Sequence, residues 1–221
     1  MTEIKLTNIT KLMAGCPLFT IATLSATAGN RIGIVGRNGA GKSTLAGMLT
    51  GTDRDFTGQL VVDGPVVYVP QIAPTLNQSG GQAMLARVRA ALSQRPDILI
   101  LDEPSSNLDE THQKWLAKQL RSFRGLLLLI SHDRQLLNAV TTQTFAVAHH
   151  EFKAYAGNYA DYQAVKQQQL AMQSAAYTRQ NRQLQDLKKA NQSRPEKAQR
   201  CPLYSSPIPR DLGEHRIPSS A

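Results

Sequence analysis

Residues 36–43 read GRNGAGKS, a glycine-rich loop closed by a lysine and a serine. Gly36, Gly39 and Gly41 allow the backbone to wrap tightly, so that the N–H groups of Gly36, Arg37, Asn38, Gly39, Ala40 and Gly41 can point inward at phosphate oxygens. Lys42 is then placed to reach the β- and γ-phosphates, and the Ser43 hydroxyl to ligate Mg2+. Thr44 follows at the start of a helical stretch whose positive N-terminus adds to the attraction. A plain glycine-rich turn would leave the adjacent Lys42–Ser43 pair unexplained.

A second device lies about sixty residues on. ILILDE, residues 98–103, is four apolar residues followed by two carboxylates. The apolar run makes a buried strand. Asp102 at its carboxyl end can hold Mg2+ through water, and Glu103 can polarise an attacking water. QSGGQ, residues 78–82, precedes it. Ser79, Gly80, Gly81 and Gln82 open a helix and form an anion site of the same kind as the first, with Ser79 also suited to cap that helix. Two phosphate-binding devices in one domain face different directions, so the second is expected to act on a nucleotide held by a partner. Gln71 follows a strand and can reach the metal or the lytic water. Asp109 lies in the loop after the carboxylate pair, and His132 ends a strand where it can donate to a γ-phosphate. Taken singly, each of these three would more often be structural; together, in this order, they form a specific constellation.

These residues need a scaffold, and the chain supplies one. EIKLTNI and FTIATLSA read as strands, and RIGIV as a strand running into the glycine loop. KSTLAGML has helical character. QLVVDGPVVYVP reads as two strands about an Asp63–Gly64 turn. Met84, Leu85, Val88, Ala91 and Leu92 repeat at helical spacing. GLLLLISHD reads as a strand, residues 110–120 as a helix, and TFAVAHHEFKAYAG as a hairpin. Strands alternating with helices imply an α/β fold, a parallel sheet with helices on both faces.

From residue 158 the pattern changes. Gln, Ala, Leu, Lys and Arg dominate, all good helix formers, and neither Pro nor Gly appears before Pro195. A helix of roughly 32 residues, about 48 Å long, is expected. Its apolar positions (Val165, Leu170, Met172, Tyr177, Leu184, Leu187) are too sparse to bury much surface, so it is expected to project. Pro202, Pro207, Pro209 and Pro218 break up the last 21 residues, read as disordered.

Charge follows the same division. Up to Tyr162 there are 15 Lys/Arg against 12 Asp/Glu, and from Gln163 onward 10 against 4, within a net charge of +9. A basic excess on an extended segment suits a polyanion, either nucleic acid or an anionic membrane surface, or marks a solvated helix face. Two cysteines, Cys16 and Cys201, match no metal or redox spacing and suit a reducing, cytoplasmic setting. LLLLI is far too short to span a bilayer.

Taken together, GRNGAGKST, Gln71, SGGQ, ILILDEP, SSNLD and SHD resemble the nucleotide-binding domain of ATP-binding cassette proteins, over about residues 2–200. The resemblance implies an ABC-type P-loop NTPase: a parallel core sheet with helices, an antiparallel N-terminal β-subdomain, and then a long projecting α-helix. Two features are similar to the ABC-F branch. Only seven residues separate Gln71 from Ser79, and YAGNYADYQAVKQQQ, residues 155–169, is similar to the start of the ABC-F interdomain linker. The short insert resembles ribosome-protecting resistance members of the Vga and Lsa type. Residues 1–157 are then the cassette, 158–200 the first helix of an interdomain arm, and 201–221 a disordered or non-native tail.

The family implies ATP and Mg2+ as cofactors, with Glu103, His132 and Gln71 catalytic. Ser43, Gln71 and Asp102 would serve the metal, and Gly36 to Thr44, Ser79 to Gln82 and Asp109 the nucleotide. It implies a ribosomal RNA partner for the basic arm, a second cassette or a homodimer partner, and no membrane domain. The family also places an aromatic ring upstream of the glycine loop to stack on adenine. Here the nearest positions are Leu12 and Met13, with Phe19 further along, so loose base specificity is expected. Because one glycine loop and one SGGQ cannot close a composite site alone, hydrolysis is expected only when a partner completes it. The tail lacks the basic, serine-rich run expected toward an arm tip, which reads as a truncated or frameshifted half-protein. Alternatives are the ATPase subunit of a transporter and an inert ATP-binding fragment.

Overall fold

Residues 2–71, 80–106 and 108–192 are described by the computed structural model. In chain order the elements are β1 (Glu3–Met13), β2 (Cys16–Thr27), β3 (Arg31–Gly36), α1 (Lys42–Leu49), β4 (Thr57–Asp63), β5 (Val66–Val69) and α2 (Gly80–Ser93). There follow β6 (Ile98–Asp102), α3 (Glu110–Ser122), β7 (Leu126–Ile130), α4 (Arg134–Val140), β8 (Gln143–Ala148), β9 (Glu151–Ala156) and α5 (Tyr159–Gln192).

The unbroken apolar runs become the centre of the sheet. Every residue of β6 and of β7 is buried, as parallel strands covered on both faces must be. The strand order is β4-β1-β2-β9-β8-β3-β7-β6-β5. β8, β3, β7, β6 and β5 run parallel to one another. β1 pairs antiparallel with both β2 and β4, and β9 antiparallel with β8. The parallel strands are reached by helical crossovers: α2 leads into β6, α3 joins β6 to β7, and α4 carries the chain from β7 past β3 to β8.

Alternation along the strands sorts side chains into two cores. Ile98 and Ile100 of β6, with Leu126, Leu128 and Ile130 of β7, pack with Leu45, Met48 and Leu49 of α1 and with the β1–β2 hairpin. The intervening Leu99, Leu101, Leu127 and Leu129 face the other way, against α2, α3 and α4. Helices on both faces are thus what the period-2 pattern demands. Tyr162, near the start of α5, joins the second core at 6% exposure.

The strands flanking Asp63–Gly64 form as the sequence suggests but do not pair with each other. β4 pairs with β1 and β5 with β6, at opposite ends of the strand order. A flat nine-stranded sheet would separate its edges by roughly 38 Å at about 4.8 Å per strand. Two connecting residues cannot span that, so the sheet curls until its edges approach. The Asp-Gly step is a corner between two parts of the sheet, with β4 paired to β1 and β5 to β6.

The chain divides into two compact units, Met1–Leu170 and Ala171–Ala221. In the second unit, residues 171–188 are helical and exposed, as their sparse apolar positions predict. No helix among the described residues is long and apolar enough to cross a membrane. The tail, residues 201–221, lies outside the described residues.

Candidate functional site

The glycine loop hangs between the end of β3 and the start of α1. Gly41 caps α1 in the left-handed region, at φ 92°. A Cβ there would also lie 2.5 Å from the Phe19 ring, so only glycine fits. Lys42, the first residue of α1, is 8% exposed. Its Nζ donates to the carbonyl oxygens of Gly36 at 3.0 Å and Arg37 at 3.1 Å, spanning the loop. Burial lowers the Lys42 pKa, while the nearby charges of Glu103 and Asp102 oppose that shift.

Asp102, at the carboxyl end of β6, faces the first turn of α1. Ser43 Oγ donates to Asp102 Oδ2 at 2.6 Å. The hydroxyl of Tyr68, on the neighbouring strand β5, donates to the same oxygen at 3.2 Å. Burial, then the Asp102 charge and this hydrogen bond, push the Tyr68 phenol up to about 12. Sequence reasoning missed Tyr68. The one available signal was a hydroxyl-bearing ring in an otherwise apolar strand, three residues before Gln71.

Glu103 occupies the turn after β6 with φ 50°, an unusual conformation for a side chain of its size. Its N–H donates to Ile130 O at 2.8 Å, which ties this turn to the end of β7. Glu103 Oε2 accepts from the backbone N–H of His132 at 3.3 Å. Glu103 Oε1 is buried and has no hydrogen-bond partner among the described residues, although His132 Nε2 stands 3.7 Å away. Burial raises the Glu103 pKa. The His132 N–H and ring and Lys42 counteract that, and Asp102 adds to it.

These groups share one cavity of about 540 Å³. Asn38, Gly39, Gly41, Lys42, Ser43 and Thr44 line it from the loop and α1. Gln71, Asp102, Glu103 and His132 line it from the ends of the core strands, joined by Ser106. Met13 and Leu18 line it from the β1–β2 hairpin. Phe19 does not reach it: its ring is fully buried, edge-on to Phe152 at 5.0 Å between centroids.

The other expected residues lie elsewhere or outside the described part. Arg37, Ala40 and Gly36 belong to the loop but do not line this cavity. Gly80, Gly81 and Gln82 open α2 and are likewise absent from its lining. Ser79 lies outside the described residues. Asp109 is the N-cap of α3, accepting from the N–H of His112 at 2.8 Å, and does not line the cavity.

The oxygen donors suit Mg2+. This ion takes one or two carboxylates and completes its shell with water and phosphate oxygens. Ser43 and Asp102, already in contact and facing an open cavity, provide such a set.

A family model described as ABC transporter matches residues 19–77. Among solved structures, a nucleotide-free ATP-binding cassette from an ABC transporter superposes with TM-score 0.65 at 15% identity, covering 76% of this chain and 96% of that one. An inward-facing ABC transporter structure superposes with TM-score 0.63 at 19% identity, covering 71% of this chain and 84% of that one. The fold is that of an ABC-type ATP-binding cassette. Curated relatives of this chain include the ribosome protection protein VmlR of Bacillus subtilis (strain 168), 29% identical over 204 residues. YheS of Escherichia coli (strain K12), described as an ATP-binding protein, is 33% identical over 184 residues. These alignments cover 81% and 63% of this chain but only 37% and 29% of the relatives' lengths.

Proposed function

We propose that this chain binds MgATP through residues 36–44 and is one cassette of an ABC-F type ribosome-associated protein, acting in protection against ribosome-targeting antibiotics. The observation that carries the nucleotide reading is the convergence of Lys42, Ser43, Asp102 and Glu103 on one cavity, with Glu103 Oε1 buried and without a hydrogen-bond partner among the described residues. The ribosomal part is supported by the likeness of residues 155–169 to the ABC-F linker, by the basic excess that follows, and by the similarity to VmlR, a ribosome protection protein. In this reading residues 1–157 are the cassette and 158–200 the outgoing helix of the arm.

The chain's residues divide the work. Lys42 exchanges its loop carbonyls for phosphate oxygens, a charge-assisted contact in a half-closed site. Ser43 and Asp102 hold the cation, which when bound neutralises phosphate charge. Glu103 Oε1 accepts a proton from a water positioned between it and the γ-phosphate, and its raised pKa brings it toward general-base duty. His132 donates toward the γ-phosphate and steadies Glu103. Hydrolysis waits for the SGGQ segment of a second cassette, or of a second copy, to cover the nucleotide. The basic arm adds contacts to ribosomal RNA phosphates, weakening as salt rises.

The test is co-sedimentation of the Glu103→Gln chain with 70S ribosomes, with and without ATP. ATP-dependent recovery with ribosomes supports the reading. Recovery with membranes and not with ribosomes overturns its ribosomal part.

A further inference from the structure

We propose that Tyr68 is a positioning residue for Asp102, orienting the carboxylate through which the Ser43–Asp102 pair takes its divalent cation. The inference rests on the nucleotide reading above and extends it to a residue outside the recognised motifs.

The placement follows from strand register. β5 lies parallel to β6, with Tyr68 opposite Ile100 and Val69 opposite Leu101. The phenol ring packs against the first core. It has only two side-chain torsions, and packing holds both. The hydroxyl is thereby carried to the end of the neighbouring strand, 3.2 Å from Asp102 Oδ2. Ser43 Oγ contacts that same oxygen at 2.6 Å.

A carboxylate offers about four lone-pair directions on two oxygens. Two donors converging on Oδ2 fix the plane of the group and leave Oδ1 for a cation or its water. Without Tyr68 the carboxylate is tied at one point and can rotate about χ2, a torsion with a broad potential. Supporting groups of this kind orient ligands that they do not themselves replace. The competing explanation is that Asp102 merely satisfies the hydroxyl of a core tyrosine. In that case removing the hydroxyl leaves cation binding unchanged.

The experiment compares ATP affinity of the full chain and its Tyr68→Phe variant, in Mg2+ and in EDTA, alongside Mn2+ affinity of the ATP complex measured by electron paramagnetic resonance. The expected result is about ten-fold weaker Mn2+ binding and a similar loss of ATP affinity in Mg2+, the size of one hydrogen bond to a charged group. Affinity in EDTA should stay at the wild-type value. In an Asp102→Asn background the Tyr68→Phe change should have no further effect on Mn2+ binding. Unchanged Mn2+ affinity in Tyr68→Phe, or an equal loss in Mg2+ and EDTA, overturns the positioning role while leaving nucleotide binding intact. A wild-type chain that binds no ATP under either condition overturns the nucleotide reading and the Tyr68 role with it. Should Tyr68→Phe fold poorly, the same comparison in Asp102→Asn, where wild-type-like Mn2+ affinity would defeat the proposal, decides the matter.

Discussion

Glu103 and His132 meet where two parallel strands end: the His132 N–H donates to Glu103 Oε2 at 3.3 Å, and His132 Nε2 stands 3.7 Å from the unpartnered Oε1. The contact joins the end of β6 to the end of β7, and both residues line the cavity. Replacing Glu103 by Gln keeps shape and removes basicity. In a preparation where a partner completes the site, hydrolysis should fall by roughly 10²–10⁴-fold while ATP binding persists. Phosphate release and nucleotide trapping, measured on the same sample, check both halves. Equal loss of binding and turnover would show that Glu103 holds the nucleotide instead.

Lys42 tests the glycine loop. Its ammonium already finds two carbonyl acceptors, Gly36 O and Arg37 O, so it is aimed into the loop before any phosphate arrives. Lys42→Met should weaken ATP binding by a factor on the order of 10², the loss of one or more charge-assisted hydrogen bonds. Calorimetry or a fluorescent ATP analogue would measure it. Retained affinity would place the nucleotide elsewhere.

Two tyrosines of α5 should behave differently. Tyr162 is 6% exposed, with its ring 4.9 Å from that of Tyr155 and with Lys166 Nζ 5.7 Å over its face. Tyr162→Ala should cost about 3–5 kcal/mol, the usual price of deleting a buried aromatic side chain. Tyr177 is 67% exposed, and its alanine variant should lie within about 0.5 kcal/mol of wild type. Urea unfolding of the two variants makes the comparison.

The Lys11–Asp53 pair gives stability a pH dependence. Lys11 Nζ contacts Asp53 Oδ1 at 2.9 Å and also donates to Asp55 O at 2.6 Å. The hydrogen bond with Asp53 raises the Lys11 pKa above its ordinary 10.5. The same bond lowers the Asp53 pKa below its ordinary 3.8. A depressed carboxylate contributes stability above its unfolded pKa and loses it as pH falls through the folded one. A raised ammonium contributes below its unfolded pKa and loses it as pH rises through the folded one. The stability difference between wild type and Lys11→Met should therefore be flat across neutral pH. It should shrink below 3.8 and again above 10.5. Denaturant midpoints across pH measure this, and a difference that keeps its full size in acid would show that the ion pair contributes nothing.

Much of the candidate site could be read along the chain because its parts are contiguous. The loop at residues 36–44 needs its glycines, its lysine and its serine side by side, and β6 must end in its two carboxylates. Such requirements are set by local backbone geometry and by the reach of single side chains. The apolar runs of β6 and β7 and the helical spacing in α2 were legible for the same reason: burial on two faces, or on one helical face, leaves a local periodicity. Other features arise between segments far apart in sequence. Tyr68 reaches Asp102 only because β5 and β6 share a register across 34 positions. β4 and β5, separated by two residues, part company: β4 pairs with β1 and β5 with β6, at opposite ends of the strand order. Phe19 is withdrawn from the cavity by packing against Phe152, leaving Met13 and Leu18 in its lining. The elevated Glu103 pKa depends on burial supplied by several elements at once. Side-chain chemistry and short-range spacing are properties of the chain, whereas register, burial and the field at a carboxylate belong to the packed sheet.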